Sequence, residues 1–266
     1  MEKIRIGLLG PAGTYTDEAT QKYLREAGLE ESDIQLVYKN SIADVIKGVG
    51  NEYDTGIIPI ENLLNGPVLE TLDNLYKNGA KIKGEIVIPI HICLAALDAE
   101  TPLKKIMSKQ DAIAQCKRYL EQNYKNIAKE TRDSTAAAMQ EIKEKNLLGV
   151  GALGPRVGAK KYDLTIRAEN IEDDENNITR FVILGKEDAK PTGYDKTTVA
   201  IKPYENKPGL LYDILKPLKK QNINLTALQS RPTGKRMGTY IFYIELEGHR
   251  KDKVVKKEIK SKKKPK

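Results

Sequence analysis

Apolar and polar positions alternate in blocks along this chain, and the blocks predict its elements. Ile4 to Leu9 is a short apolar strand closed by Gly10-Pro11-Ala12-Gly13, and a helix follows from Thr14 to about Ala27. Ile34 to Tyr38 reads as a strand. Ser41 opens the next helix with Asp44 three residues on, the spacing of a capping box, and Ile42, Val45, Ile46 and Val49 give that helix one apolar face. Ile57 to Ile60 is a strand, and Gly66-Pro67 opens another helix. The pattern continues through Ile86 to Leu97 (strand), Gln110 to Gln122 and Ser134 to Lys145 (helices) and Thr179 to Leu184 (strand). Alternation of this kind predicts a mainly parallel sheet covered by helices.

Glu187 to Lys196 breaks the pattern: charged, turn-rich and without an apolar stripe, it reads as a linker. Beyond it, Thr197 to Lys202 is a strand, and Pro208 starts a helix bearing Leu211, Ile214, Leu215 and Leu218. Asn224 to Ser230 and Thr239 to Leu246 are strands. This β-α-β-β order is the first part of a ferredoxin-like module.

The 266 residues suffice for two domains at roughly 100–200 residues each. No apolar run reaches the length of a membrane span, Met1 to Gly10 does not read as a leader, and two cysteines fit a reducing compartment, so a cytoplasmic protein is expected. Cys93, Cys116, His91 and His249 lack zinc-site spacing, and no metal is expected. The net charge of +8 hints at nucleic acid until it is located. Residues 250–266 carry 10 basic and 2 acidic residues, leaving 35 of each sign in the rest of the chain. A neutral body with a lysine-rich end argues against a nucleic-acid groove.

Several stretches suit chemistry, and each also has a purely structural reading. Gly10 to Thr14 joins strand to helix, where backbone N–H groups can face a carboxylate; a plain tight turn is the other reading. Glycines at 7, 10 and 13 miss the dinucleotide spacing, and Lys39 stands where a ribose-binding acid would be wanted. Glu61 and Asn62 fall at a strand end, where open α/β sheets bind ligands or simply turn. Thr179 and Arg180, a hydroxyl donor and a permanent cation, suit a dianionic substrate that must lose a hydroxyl, or form an ordinary strand-edge pair. Cys116 shares a helix with Ala112, Ile113, Tyr119 and Leu120, which suits a buried thiol, and His91 suits either a base or a structural histidine. In the second module Gly209 lets a ligand approach the backbone and Arg231 suits a carboxylate, or the two mark a helix start and a strand-end turn.

In order and spacing, Gly10 to Thr16, Pro59 to Asn62, Gln115-Cys116, Asp133 to Ala138, Asn177 to Phe181 and Gln229 to Pro232 together resemble the prephenate dehydratase family. The resemblance runs from Arg5 to about His249, and Thr179-Arg180-Phe181 is its most specific piece. It implies a catalytic region over residues 1–186, built as two α/β lobes of periplasmic-binding-protein-like, three-layer architecture with the active site in the cleft. It implies a linker over 187–196, a ferredoxin-like ACT regulatory domain over 197–249 and a lysine-rich tail over 250–266. The activity implied is the decarboxylating dehydration of prephenate to phenylpyruvate in phenylalanine biosynthesis, without a cofactor. Phenylalanine is the implied effector, and a homodimer or homotetramer the implied assembly, with no nucleic acid or membrane as partner. A non-catalytic small-molecule-binding or sensor protein is the alternative, because lobed α/β folds host both uses.

Carried over by position, the family's essential threonine falls on Thr179, and Glu61, Asn62, Ser108, Gln115 and Arg180 join it as catalytic candidates. Gly10, Gly13, Thr14, His91, Cys116, Ser134, Thr135 and Phe181 are the implied substrate-binding residues. The implied effector motifs are Pro208, Gly209, Leu210 and Leu211, and Gln229, Ser230, Arg231 and Pro232. The family usually has Ala where Leu210 stands and Glu where Gln229 stands. After His249 a full ACT domain places a second helix and a fourth strand; the 17 remaining residues suit a helix but not a buried strand.

Overall fold

The computed structural model describes residues 3–234 and 238–256. The chain divides into two compact units, Met1–Asp188 and Ala189–Lys266.

The first unit is built on two sheets. In its first lobe come β1 (Ile4–Leu9), α1 (Tyr15–Ala27), β2 (Ile34–Lys39), α2 (Ile42–Gly48), β3 (Thr55–Asn62), the short β4 (Gly66–Pro67), α3 (Leu69–Asn78) and β5 (Lys81–Pro89). The second lobe holds β6 (Cys93–Ala96), β7 (Lys105–Ser108), α4 (Gln110–Gln115), α5 (Lys117–Asn123), β8 (Ala128–Thr131), α6 (Thr135–Glu144), β9 (Val150–Gly154), α7 (Arg156–Lys161) and β10 (Thr165–Ala168). The chain then returns as β11 (Ile178–Gly185) and inserts between β3 and β5. The first sheet runs β2-β1-β3-β11-β5 with β4 on β3, and the second runs β10-β6-β9-β7-β8.

Both sheets are mixed, not mainly parallel as the alternation predicts. β1 is parallel to β2 and β3, but β11 is antiparallel to both neighbours because it enters from the other lobe. The crossings also divide two predicted elements. The run Ile86 to Leu97 leaves the first sheet after Pro89 and joins the second at Cys93. Between them the Ile90 amide donates to Asn177 O, and Ile92 O accepts from the Ile171 amide. The predicted helix Gln110 to Gln122 breaks at Cys116, because the Asp173 amide takes Gln115 O and the Asp173 carboxylate caps Arg118 N. Gly66-Pro67 forms the β4 pairing, and α3 starts at Leu69.

Ile6, Leu8, Ile57, Ile88, Leu94, Ile106, Leu153 and Phe181 share one buried cluster. Their strands are apolar at consecutive positions because both faces of each sheet are covered.

In the second unit β12 (Lys196–Ile201), β13 (Leu225–Pro232) and β14 (Tyr240–Glu247) form an antiparallel sheet of order β12-β14-β13. Helix α8 (Leu210–Lys220) packs Ile214 against Phe242 and Ile244, and Leu218 against Leu246 and Val255. Residues 253–256 are helical and Val255 is buried, as a second helix requires. The expectation that no buried fourth strand follows lies outside the described residues. Among the described residues no helix is long and apolar enough to cross a membrane.

Candidate active site

The carboxyl end of β3 meets the start of β11 and the end of β5, so Thr179 stands opposite Asn62 on one side and Ile88 on the other. The register slips between Arg180 and Phe181, where Arg180 faces Glu61 and Phe181 faces Pro59. This bulge frees Ile60 O to accept from the Val68 amide, and Pro59 O accepts from Thr71 Oγ1 at 2.6 Å. Asn62 is thereby fixed at a strand end. Its Oδ1 accepts the Leu64 and Asn65 amides at 3.1 and 3.0 Å. Its Nδ2 donates to Asn177 Oδ1 at 2.8 Å, Thr179 Oγ1 at 2.9 Å and Ile178 O at 3.1 Å.

The Thr179 hydroxyl is thus an acceptor within the fold, and among the described residues nothing takes its hydrogen. That O–H remains available to donate. Asn177, which the sequence reading did not single out, is buried and passes the network to Gln115 Oε1 at 3.3 Å. The first-lobe threonine is so connected to the end of α4 in the second lobe.

One residue along, the side chains turn to the opposite face. Arg180 donates to Glu61 Oε2 through Nε and Nη2 at 3.2 and 2.9 Å, and to Glu85 Oε2 through Nη1 at 3.0 Å. Arg180 and Glu61 are therefore engaged with each other rather than gathered around Thr179. Strand alternation thus sets both, expected as catalytic residues, on the face opposite Thr179. Phe181, expected at the substrate, belongs to the core instead and is 2% exposed.

The Gly10 turn is also arranged differently from the sequence reading. Asp17 Oδ2 accepts Gly13 N, Thr14 N and Thr14 Oγ1 at 3.0, 3.1 and 3.2 Å, so the anion at this helix start is the chain's own. The Tyr38 hydroxyl donates to the same carboxylate; burial, then that bond, pushes the phenol above its usual range. The Gly10 amide donates to Lys39 O at 2.9 Å. Gly13 has φ of +87°, and a Cβ there would lie 2.9 Å from Gly158 Cα, so only glycine fits where the lobes approach. Tyr162 Oη donates to Ala12 O at 2.7 Å across the same approach.

In the second lobe, Ser108 is fully buried and donates to Leu153 O at 2.7 Å, which makes it a structural hydroxyl rather than a catalytic one. Cys116 is fully buried at the α4–α5 break and its thiol is pushed up by burial, so it is core and not substrate-binding. Burial likewise pushes the Cys93 thiol up to about 12. Ser134 caps α6 by accepting the Ala137 amide at 3.0 Å, and Thr135 packs under Gly154. His91 lies on the crossing between the sheets with its side chain half exposed, and its ring Nδ1 is 2.8 Å from Glu172 Oε1. Its carbonyl accepts from Tyr15 Oη at 3.0 Å. Burial pushes the Glu18 carboxyl up, and His91 and then Arg25 pull it back. Asn177, Asp17, Glu172 and Asp173 are the site residues missed from the sequence; only Asn177 had a signal, as the first residue of the Asn177 to Phe181 run. Among the described residues no group of three or more His, Cys, Asp or Glu side chains is arranged to hold a metal.

In the second unit, Gly209 occupies the N-cap of α8 with φ of +78°, just after Pro208. Leu210 lines a small recess with Tyr204, Asn206, Thr239, Tyr240 and Phe242. Leu211 packs into the core beneath. Gln229, Ser230, Arg231 and Pro232 lie on β13 opposite Tyr243, Phe242, Ile241 and Tyr240, so β14 connects the two motifs.

A family model of prephenate dehydratase matches residues 6–189, and one of the ACT domain matches residues 204–263. A prephenate dehydratase of Methanocaldococcus jannaschii is 39% identical over 244 residues, covering 90% of this chain and 87% of that one. A bifunctional chorismate mutase/prephenate dehydratase of Aquifex aeolicus is 37% identical over 263 residues, covering 97% of this chain and 70% of its own. A crystal structure of prephenate dehydratase from Arthrobacter aurescens in complex with L-Phe superposes with a TM-score of 0.86 at 29% identity, covering 97% of this chain and 85% of that one.

Proposed function

The chain belongs to the prephenate dehydratase family, and from that premise we propose how its residues carry out the reaction. The activity is that of a lyase: prephenate gives phenylpyruvate, carbon dioxide and water. The bond from ring carbon to its carboxylate breaks, and the electron pair enters the ring. The bond from the para carbon to its hydroxyl breaks with it, hydroxide leaves and becomes water by taking up a proton from solvent, and the ring becomes aromatic. The difficulty is the departing hydroxide, which needs a hydrogen-bond donor as charge grows on oxygen.

Thr179 fills that role. A hydroxyl is a weak acid, so its value lies in placement rather than in free acidity. Asn62 Nδ2 occupies a Thr179 oxygen lone pair and leaves the O–H to donate; this is the observation that carries the reading. Gln115, reached through Asn177, brings the second lobe to the same site. For the carboxylates, the α6 start at Ser134 is favoured over the Thr14 turn, whose amides already have Asp17. With prephenate and purified protein, Thr179→Ala should lower turnover by about two orders of magnitude or more. Near-normal turnover in that variant would remove Thr179 from the mechanism.

Phenylalanine is the proposed effector of the second unit, supported by the ACT match and by the L-Phe held by the Arthrobacter aurescens relative. The bulkier Leu210, which lines the recess, is expected to narrow the effector pocket. Calorimetry with phenylalanine should show binding; none at millimolar concentration would defeat this part. The assembly proposed is a homodimer or homotetramer in the cytoplasm.

A further inference from the structure

The segment Ile171-Glu172-Asp173, on the return crossing from β10 to β11, contacts separate pieces of the site. Ile171 N donates to Ile92 O at 3.0 Å. Glu172 accepts Ile92 N on Oε2 at 2.8 Å and faces His91 Nδ1 with Oε1 at 2.8 Å. Asp173 N donates to Gln115 O at 2.6 Å. The Glu172 side chain is only 3% exposed, whereas the His91 side chain is 50% exposed. A carboxylate withdrawn from water persists because its oxygens are occupied by donors. Here the donors are a backbone amide of one crossing and an imidazole whose side chain is half exposed.

We propose that Glu172 is a positioning residue: it fixes the ring of His91 with Nδ1 protonated, so that Nε2 is the ring atom presented to the substrate. This rests on the reading of His91 as a substrate-facing residue. An ionised carboxylate only accepts, so the hydrogen between the two groups belongs to Nδ1. The chain's other histidine has the opposite arrangement. His249 Nδ1 accepts the Lys251 amide at 3.1 Å, and its Nε2 donates to Ala189 O at 3.0 Å. Its neutral form therefore carries the hydrogen on Nε2. With only two histidines in the chain, their ring nitrogens report both tautomers at once.

The test is a nitrogen NMR spectrum of the full chain labelled at histidine, together with prephenate kinetics of Glu172→Gln and His91→Gln. The wild-type spectrum should show one ring protonated at Nδ1 and the other at Nε2. In Glu172→Gln the carboxamide oxygen can keep the Ile92 amide while its NH2 donates to Nδ1. His91 should then switch to the Nε2 tautomer, with the His249 signal unmoved, and kcat/KM should fall by about tenfold. Adding His91→Gln should bring no loss beyond that of His91→Gln alone. Wild-type His91 protonated at Nε2, or Glu172→Gln with unchanged tautomer and kcat/KM beside an impaired His91→Gln, overturns the positioning role while leaving His91 in the site. Full activity of His91→Gln instead removes His91 from the site, and the proposal with it.

Discussion

Two neighbouring rungs of the same strand pair are bonded in different ways. Asn62 and Thr179 face each other as neutral groups, and their bonding leaves one hydrogen outstanding. Glu61 and Arg180, the next pair along, are charged and bonded to each other, with Glu85 as third partner. The contrast is between a charged pair satisfied within the fold and a neutral pair that keeps a hydrogen to donate. A guanidinium closed by two carboxylates has little left to offer a substrate anion, while a modest hydroxyl with a fixed lone pair has a proton to give.

Variants at the two rungs should separate these roles. The largest effect belongs to Thr179 itself. Asn62→Ala comes next: losing the donor that fixes Thr179 should reduce kcat by about thirtyfold, and losing the partner of buried Asn177 and of the Leu64 and Asn65 amides should also lower the melting temperature, as steady-state kinetics and thermal unfolding would show. An unaltered kcat would mean that the threonine does not need this orientation.

Arg180→Met should lower stability while sparing kcat. Two partly exposed carboxylates lose their partner, so about 1–2 kcal/mol of stability should go, with kcat kept within about threefold. A collapse of kcat without loss of stability would erase the distinction between the rungs.

How much of this was legible in the sequence follows from what each signal depends on. The alternation of apolar blocks gave the α/β class, because each strand is buried on both faces and reads as a continuous run, but it predicted a mainly parallel sheet where both sheets are mixed, and the two lobes came only with the family resemblance. The cap at Ser41 and the helix start at Ser134 were visible, since such signals are local. The break of a helix at Cys116 was not, because its cause, Asp173, lies far away in sequence. The same limit hid Glu172. The family resemblance placed Thr179 among the candidates together with Ser108, Cys116 and Phe181, but position in a motif could not say which side chains face a core. Alternation along β11 sets Arg180 on the face opposite Thr179, where it meets Glu61.

The smallest effect concerns Glu18, a carboxyl whose burial raises its pKa. A raised folded pKa means that ionisation opposes folding. Glu18→Gln should therefore stabilise the protein by a few tenths of a kcal/mol at neutral pH. The gain should vanish as pH falls below the ordinary carboxylate range, where the wild-type group is protonated in both states. Unfolding midpoints at neutral and acid pH would show it, and a gain that persists in acid would exclude this cause.

Single-turnover kinetics of Thr179→Val, which keeps the side-chain shape and removes the hydroxyl, tests most directly whether that hydroxyl eases the oxygen away. With enzyme in excess over prephenate, phenylpyruvate should form at least about 100-fold more slowly, at a half-saturating concentration within about threefold of wild type. Formation at the wild-type rate, or a loss confined to binding, would contradict it.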